Sequence, residues 1–226
     1  MTTKLILVRH GETDWNLNRR FQGISDIPLN EHGRVQAGYA REALKDVHLD
    51  AVYASPLKRA RETAEIICQE HSVPITTAPG LREQNVGVWE GLGYPEITER
   101  WPRKIEQWKN CPGQLTIPEG ERMAEVQERA VATFWKIADA HPGETVLLAS
   151  HMVCLSTILD YFSGVDLDDI WAHPIYNAGI NVIEVAPEEE ADPADRDSRV
   201  TITYWNYGDH LPEEERRPPA NVKKLK

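Results

Sequence analysis

Cysteine is scarce in this 226-residue chain. The three present, Cys68, Cys111 and Cys154, are widely separated and show no metal-ligand or redox-motif spacing. Their odd number argues against a disulfide framework and fits reduced thiols in a cytosolic protein. Positive charge is also short: 25 Lys and Arg stand against 36 Asp and Glu, a formal net charge of -11. A chain this acidic is a poor partner for nucleic acid or an anionic membrane surface. Long apolar runs are missing, so no segment reaches membrane-spanning length. Met1-Thr2-Thr3-Lys4 leads straight into a strand, without the apolar stretch of a secretion signal. The location these absences predict is cytoplasmic. An acidic chain repels anionic ligands at long range, so any phosphate site in it requires a local cluster of cations.

What remains is an ordinary globular composition, 41% hydrophobic and 27% charged. Lys4 to Val8 is continuous in apolar character, the mark of a strand buried on both faces. Gly11 to Pro28 reads as a long polar loop, a length that usually carries function. Asn30 caps a predicted helix to about Leu44, with Val35, Ala40 and Leu44 toward the core. A strand follows at 50–54. Pro56 then opens a helix to about Glu70, with Leu57, Ala60, Ala64 and Ile67 inward. Further strands are predicted at 73–77 and 145–149, and a final pair at 179–185 and 199–205. Helices are predicted at 121–140 and 152–162. Strands alternating with helices imply an α/β fold: a mostly parallel central sheet with helices on both faces and one antiparallel edge strand. One domain is expected over 1–211, with an insert at about 92–120 and a charged, loosely ordered tail at 212–226. The insert is expected to pack over the sheet edge, with Trp101 and Trp108 packing it or lining a pocket.

Three strand-to-loop transitions carry related chemistry. Leu7-Val8-Arg9-His10-Gly11-Glu12-Thr13 delivers an arginine and a histidine at a strand end. Ser55-Pro56-Leu57-Lys58-Arg59 sets Arg59 in the first turn of a helix. Leu148-Ala149-Ser150-His151 sets a second histidine just past a strand. Ligands of open α/β sheets bind at strand ends, imidazole can act as a nucleophile, and guanidinium matches phosphate oxygens. If these strands are parallel neighbours, two arginines and two histidines surround one tetrahedral anion. Helix N-termini there add backbone N–H donors.

With these motifs the chain resembles the histidine phosphatase superfamily, the group that includes the cofactor-dependent phosphoglycerate mutases. The opening signature is followed in order by Trp15-Asn16, Gln22-Gly23 and Asp26-Ile27-Pro28-Leu29. Ser55 to Ala60 looks like the second arginine motif, and Leu81-Arg82-Glu83 with Trp89-Glu90-Gly91 like the acid motif. Ser150-His151 looks like the second histidine. The resemblance covers most of residues 3–186 and implies a phosphoglycerate mutase-like fold. It implies that His10 attacks phosphorus and becomes phosphohistidine, while Arg9, Arg59 and His151 hold the equatorial oxygens. It makes Glu83 the proton donor and acceptor. Asn16, Gln22 and Gly23 belong to the phosphate-binding set on the same reading. No metal and no cofactor are implied, since the arginines supply the positive charge. Relatives often have glycines where Met152 and Val153 stand, an acidic residue where Val88 stands and a glutamate-serine pair where Glu121-Arg122 stands; these departures bear on substrate choice.

The function expected is hydrolysis of small phosphomonoesters. The alternative is a phosphoglycerate mutase, whose relatives carry a longer stretch between the acid and the second histidine. A third reading, a phosphoprotein-binding module without catalysis, has every reactive residue against it. The partner expected is a small phosphorylated substrate, and a homodimer is left open.

Overall fold

The computed structural model describes residues 1–190, 192 and 194–216. Its strands are β1 (Thr3–Arg9), β2 (Ala51–Ala54), β3 (Ile75–Thr77), β4 (Thr145–Ser150), β5 (Ile180–Val185) and β6 (Val200–Tyr207). Its α-helices are α1 (Asp14–Leu17), α2 (Glu31–Leu44), α3 (Lys58–Ile67), α4 (Tyr94–Arg100), α5 (Pro102–Asn110), α6 (Met123–Ala140) and α7 (Met152–Ser163). The strands form one sheet in the order β3-β2-β4-β1-β5-β6. β1, β2, β3 and β4 are parallel; β5 runs antiparallel to β1, and β6 antiparallel to β5. The fold is the expected α/β arrangement, with its antiparallel edge built from a hairpin-like pair.

The alternation of side chains along each strand divides the core into two layers. Leu5, Leu7, Val146, Leu148 and Ile183 face one layer, with Val126 and Phe134 of α6 and Leu155 and Ile158 of α7. Ile6, Val8, Val52, Leu147 and Ala149 face the other, with Ala40 and Leu44 of α2 and Ala64 and Ile67 of α3. Helices therefore cover both faces, which is why β1 is apolar at every position from Leu5 to Val8.

Register places the site. Arg9 pairs with Ser150 across β1 and β4, and Ala54 pairs with Ala149 across β2 and β4. The residues that follow, His10, Ser55 and His151, leave the sheet at the same edge. The chain passes from β1 to β2 and β3 before returning to β4 between them, so this edge is also where the connections diverge.

Three local expectations are corrected. Val35 is 51% exposed, whereas Ala37, Ala40 and Leu44 of α2 are buried. Val35 and Leu44 are about two and a half helical turns apart, so the face that buries one turns the other outward. The second correction concerns α3, which starts at Lys58 rather than Pro56. The N–H groups of Ala60 and Arg61 both donate to Leu57 O, making Leu57 the cap. The third lies in the segment 11–28, which holds the short helix α1. Thr13 caps it in a reciprocal pair with Asn16.

Among the described residues no helix is long and apolar enough to cross a membrane. The segment read as an insert contains α4 and α5. Trp108 of α5 meets Phe21, Trp89 and Trp171 edge-on or tilted, so it packs on loop and turn residues. Of the segment read as a tail, residues 212–216 are described. Glu215 pairs with His32 at 2.7 Å and accepts from Gln36 Nε2 at 2.6 Å. The remainder, 217–226, lies outside the described residues.

Candidate active site

The loop after β1 is pressed against the start of α2 by two glycines. A Cβ on Gly11 would run into the Gly33 carbonyl, and one on Gly33 into the Glu12 backbone. This contact needs glycine on both sides. Behind it, Gln36 Oε1 accepts the Glu12 N–H at 2.8 Å, and Thr63 Oγ1 accepts the Gly11 N–H at 3.1 Å. The backbone carrying His10 is thus tied to both α2 and α3.

His10 is 3% exposed and His151 fully buried, with ring centroids 5.1 Å apart. His10 Nδ1 lies 2.6 Å from the Gly11 carbonyl. A carbonyl only accepts, so Nδ1 carries the proton and Nε2 keeps the lone pair. His151 Nε2 lies 2.7 Å from Ser55 Oγ, which accepts the Leu57 N–H at 3.3 Å; His151 Nδ1 is buried without a protein partner. Burial, reinforced by the charges of Arg59 and Arg9, pushes the pKa of His10 well below its usual 6.5. Burial and Arg59 do the same to His151.

The cations are buried too. Arg9 donates from Nη1 to Ile175 O at 2.5 Å and leaves Nε without a partner. Arg59, fully buried, donates to Ser25 O at 2.8 Å and Gly23 O at 2.7 Å, again leaving Nε unpaired. Burial lowers both guanidinium pKa values to about 10, which still leaves full charge at neutral pH. Among the described residues neither buried cation makes a carboxylate ion pair within 4 Å; Glu83 is near enough to raise both pKa values, and each arginine keeps a spare donor, so together they favour a bound anion.

Arg9, His10, Asn16, Gln22, Gly23, Arg59 and Glu83 line one cavity of about 110 Å³. Phe21, Val86, Trp108, Met152 and Val153 form its apolar wall, and Arg20 and Gln84 complete it. The His151 ring, tilted 57° to that of His10, is not among the lining residues. Asn16 Oδ1 accepts from Thr13 N–H and Oγ, each at 3.1 Å, which leaves its amide N–H groups for a ligand. Gln22 Oε1 is buried without a partner. Gly23 has a φ of +53°, and a Cβ there would strike the Glu90 carboxylate. Its carbonyl is spent on Arg59. Glu83 reaches the N-terminus of α7, with Val153 and Cys154 N–H each 3.3 Å from its carboxylate. Arg82 pairs with Glu121 instead, at 3.0 Å. Of the two tryptophans singled out in the insert, Trp108 reaches the cavity and Trp101 packs against the core.

The long loop is fastened by carboxylates. Asp26 Oδ1 accepts the Lys58 N–H at 2.7 Å, and Glu90 accepts from Ile24 N–H at 2.9 Å and from the Ser25 hydroxyl. Sequence reasoning assigned no role to Ser55 or Arg129, and noted Glu121 only within a departure from the family pattern; all three touch site residues here. Ser55 had a signal, its place at a strand end. Arg129 had none, because it acts from a helix far along the chain.

The sequence profile of the histidine phosphatase superfamily (branch 1) matches residues 5–191. The chain belongs to that family. It is 34% identical over 182 residues to phosphoserine phosphatase 1 of Hydrogenobacter thermophilus, covering 80% of this chain and 86% of the relative. It is 34% identical over 212 residues to the metal-independent phosphoserine phosphatase of Arabidopsis thaliana, covering 92% and 83%. Among solved structures, Bacillus stearothermophilus YhfR superposes with a TM-score of 0.85 at 36% identity, covering 93% of this chain and all of that one. The chain is also 37% identical over 161 residues to a probable phosphoglycerate mutase, GpmB of Escherichia fergusonii, covering 71% of this chain and 75% of the relative.

Proposed function

We propose that this histidine phosphatase hydrolyses small phosphomonoesters through a phosphohistidine on His10. The observation that carries the reading is the fixed tautomer of His10, whose free Nε2 lone pair sits among buried, underused guanidinium groups. Nε2 attacks phosphorus in line, and the P–O ester bond breaks. Glu83 gives its proton to the leaving alkoxide, and the alcohol departs. Water then attacks the phosphoryl group, Glu83 takes its proton, and the P–N bond breaks to release inorganic phosphate. Arg9, Arg59 and the Nδ1–H of His151 stabilise charge on the equatorial oxygens throughout. Asn16 and Gln22 donate amide N–H groups to the same oxygens, and Gly23 shapes the loop that presents them.

The apolar wall formed by Phe21, Val86, Trp108, Met152 and Val153 favours esters with a compact body over large polyhydroxylated ones. A cavity of about 110 Å³ holds a phosphoryl group and a few further heavy atoms.

Acid-free quenching of the enzyme with a ³²P-labelled phosphomonoester should trap label on His10 that is stable to base and lost in acid. His10→Ala should fold, take no label and lose nearly all turnover. Wild-type turnover in that variant would end the covalent reading. Release of free phosphate, rather than an isomerised phosphoglycerate in the presence of 2,3-bisphosphoglycerate, separates hydrolysis from mutase chemistry.

A further inference from the structure

Arg129 projects from the middle of α6 and uses all five of its N–H donors. Nε and Nη2 bind the two Glu121 carboxylate oxygens at 2.7 and 3.0 Å. Nη1 donates to Gly80 O and Arg82 O, each at 2.8 Å, and Nη2 also donates to Glu83 O at 3.0 Å. Glu121 grips the same segment from the other flank. It accepts from Arg82 Nη2 at 3.0 Å and from Asn85 N–H at 3.1 Å. Its own backbone pairs with Asn85 O at 2.8 Å and with Gln84 Nε2 at 2.8 Å. Every residue from Arg82 to Asn85 is thus bonded to one member of this ion pair. Neither member lines the cavity.

We propose that the Arg129–Glu121 pair is a positioning device that sets the aim of the Glu83 carboxyl toward the leaving oxygen. This rests on Glu83 being the proton donor. The segment that carries Glu83 has no sheet or α-helix partner to hold its carbonyls, so side-chain donors hold them instead. A planar fork bonded to three nearby carbonyls fixes a backbone path that a single flexible ammonium cannot. Misplacement of a catalytic group by about 1 Å costs on the order of 100-fold in rate. A defect confined to the acid is felt most by esters whose leaving group needs a proton.

Arg129→Lys and Glu121→Gln test this with two esters, para-nitrophenyl phosphate and phosphoserine. The expected result is a loss in kcat of about 10- to 100-fold on phosphoserine. KM and the rate on para-nitrophenyl phosphate should stay within about threefold, since positioning of the acid is the only thing disturbed. Placed in a Glu83→Gln background, Arg129→Lys should add no further loss, because the group it positions has gone. Equal losses on both esters from variants with wild-type thermal unfolding would overturn the proposal, as would full additivity with Glu83→Gln. If Arg129→Lys fails to fold, Glu121→Gln carries the same comparison. A distinct result, Glu83→Gln alone slowing both esters equally, would remove the acid itself and this inference with it.

Discussion

Asp160 sits on α7 with both carboxylate oxygens buried and without a hydrogen-bond partner among the described residues. Burial, with a smaller contribution from Asp169, pushes its pKa from 3.8 up to about 7. The folded chain therefore holds this proton more tightly than the unfolded chain does. Stability from this group is fully present below about pH 4 and is lost as pH rises through about 7. At about 1.4 kcal/mol per unit, the full loss is on the order of 4 kcal/mol, and on the order of 2–3 kcal/mol of it falls between about pH 5 and pH 8. Asp160→Ala removes the liability, forfeits no hydrogen bond and gains a better helix former. Urea unfolding followed by tryptophan fluorescence should find the variant more stable than wild type near pH 8, with the gap shrinking by about 2–3 kcal/mol near pH 5. In a chain of this size the gain near pH 8 raises Tm by roughly 5–15 °C. Comparing variant with wild type at each pH cancels the other titrating groups. A gap that is the same at both pH values, or a variant less stable near pH 8, would show that the carboxylate is solvated or paired and refute the argument.

The remaining predictions concern chemistry. Glu83→Gln should slow phosphoserine by at least about 100-fold more than para-nitrophenyl phosphate, a comparison made from kcat on the two esters. The imidazole nitrogens of His10 and His151 should report neutral rings by nitrogen-15 NMR well below pH 6.5, because burial and the two arginines oppose protonation; a midpoint at the ordinary histidine value would contradict the buried cage. Gly33→Ala should collapse activity with the site residues untouched, since its Cβ would push the Glu12 backbone and the His10 loop aside. Treatment with a chelator should leave the rate intact, and activity regained only on adding a divalent metal would contradict an arginine-based site.

Much of this architecture was legible in one dimension. The unbroken apolar run of β1 announced a strand buried on both faces, and it became the sheet centre because only helices on both sides satisfy it. Residues 9–10, 59 and 151 were readable because each lies at or just past the end of a strand, and parallel strands end at one edge. Val35 was misplaced because an apolar residue was assumed to face inward, where helix phase decides otherwise. Arg129 was silent because a charged residue on an amphipathic helix looks the same whether it meets water or a carbonyl 46 residues away.

By itself the sequence determined the order of the elements, the chemistry at the strand ends and the family, since these follow from local pattern and residue type. Only tertiary packing decided how deeply the arginines are buried and what holds Glu83 in place. Desolvation and aim depend on distances between atoms remote along the chain, and no local pattern carries those distances.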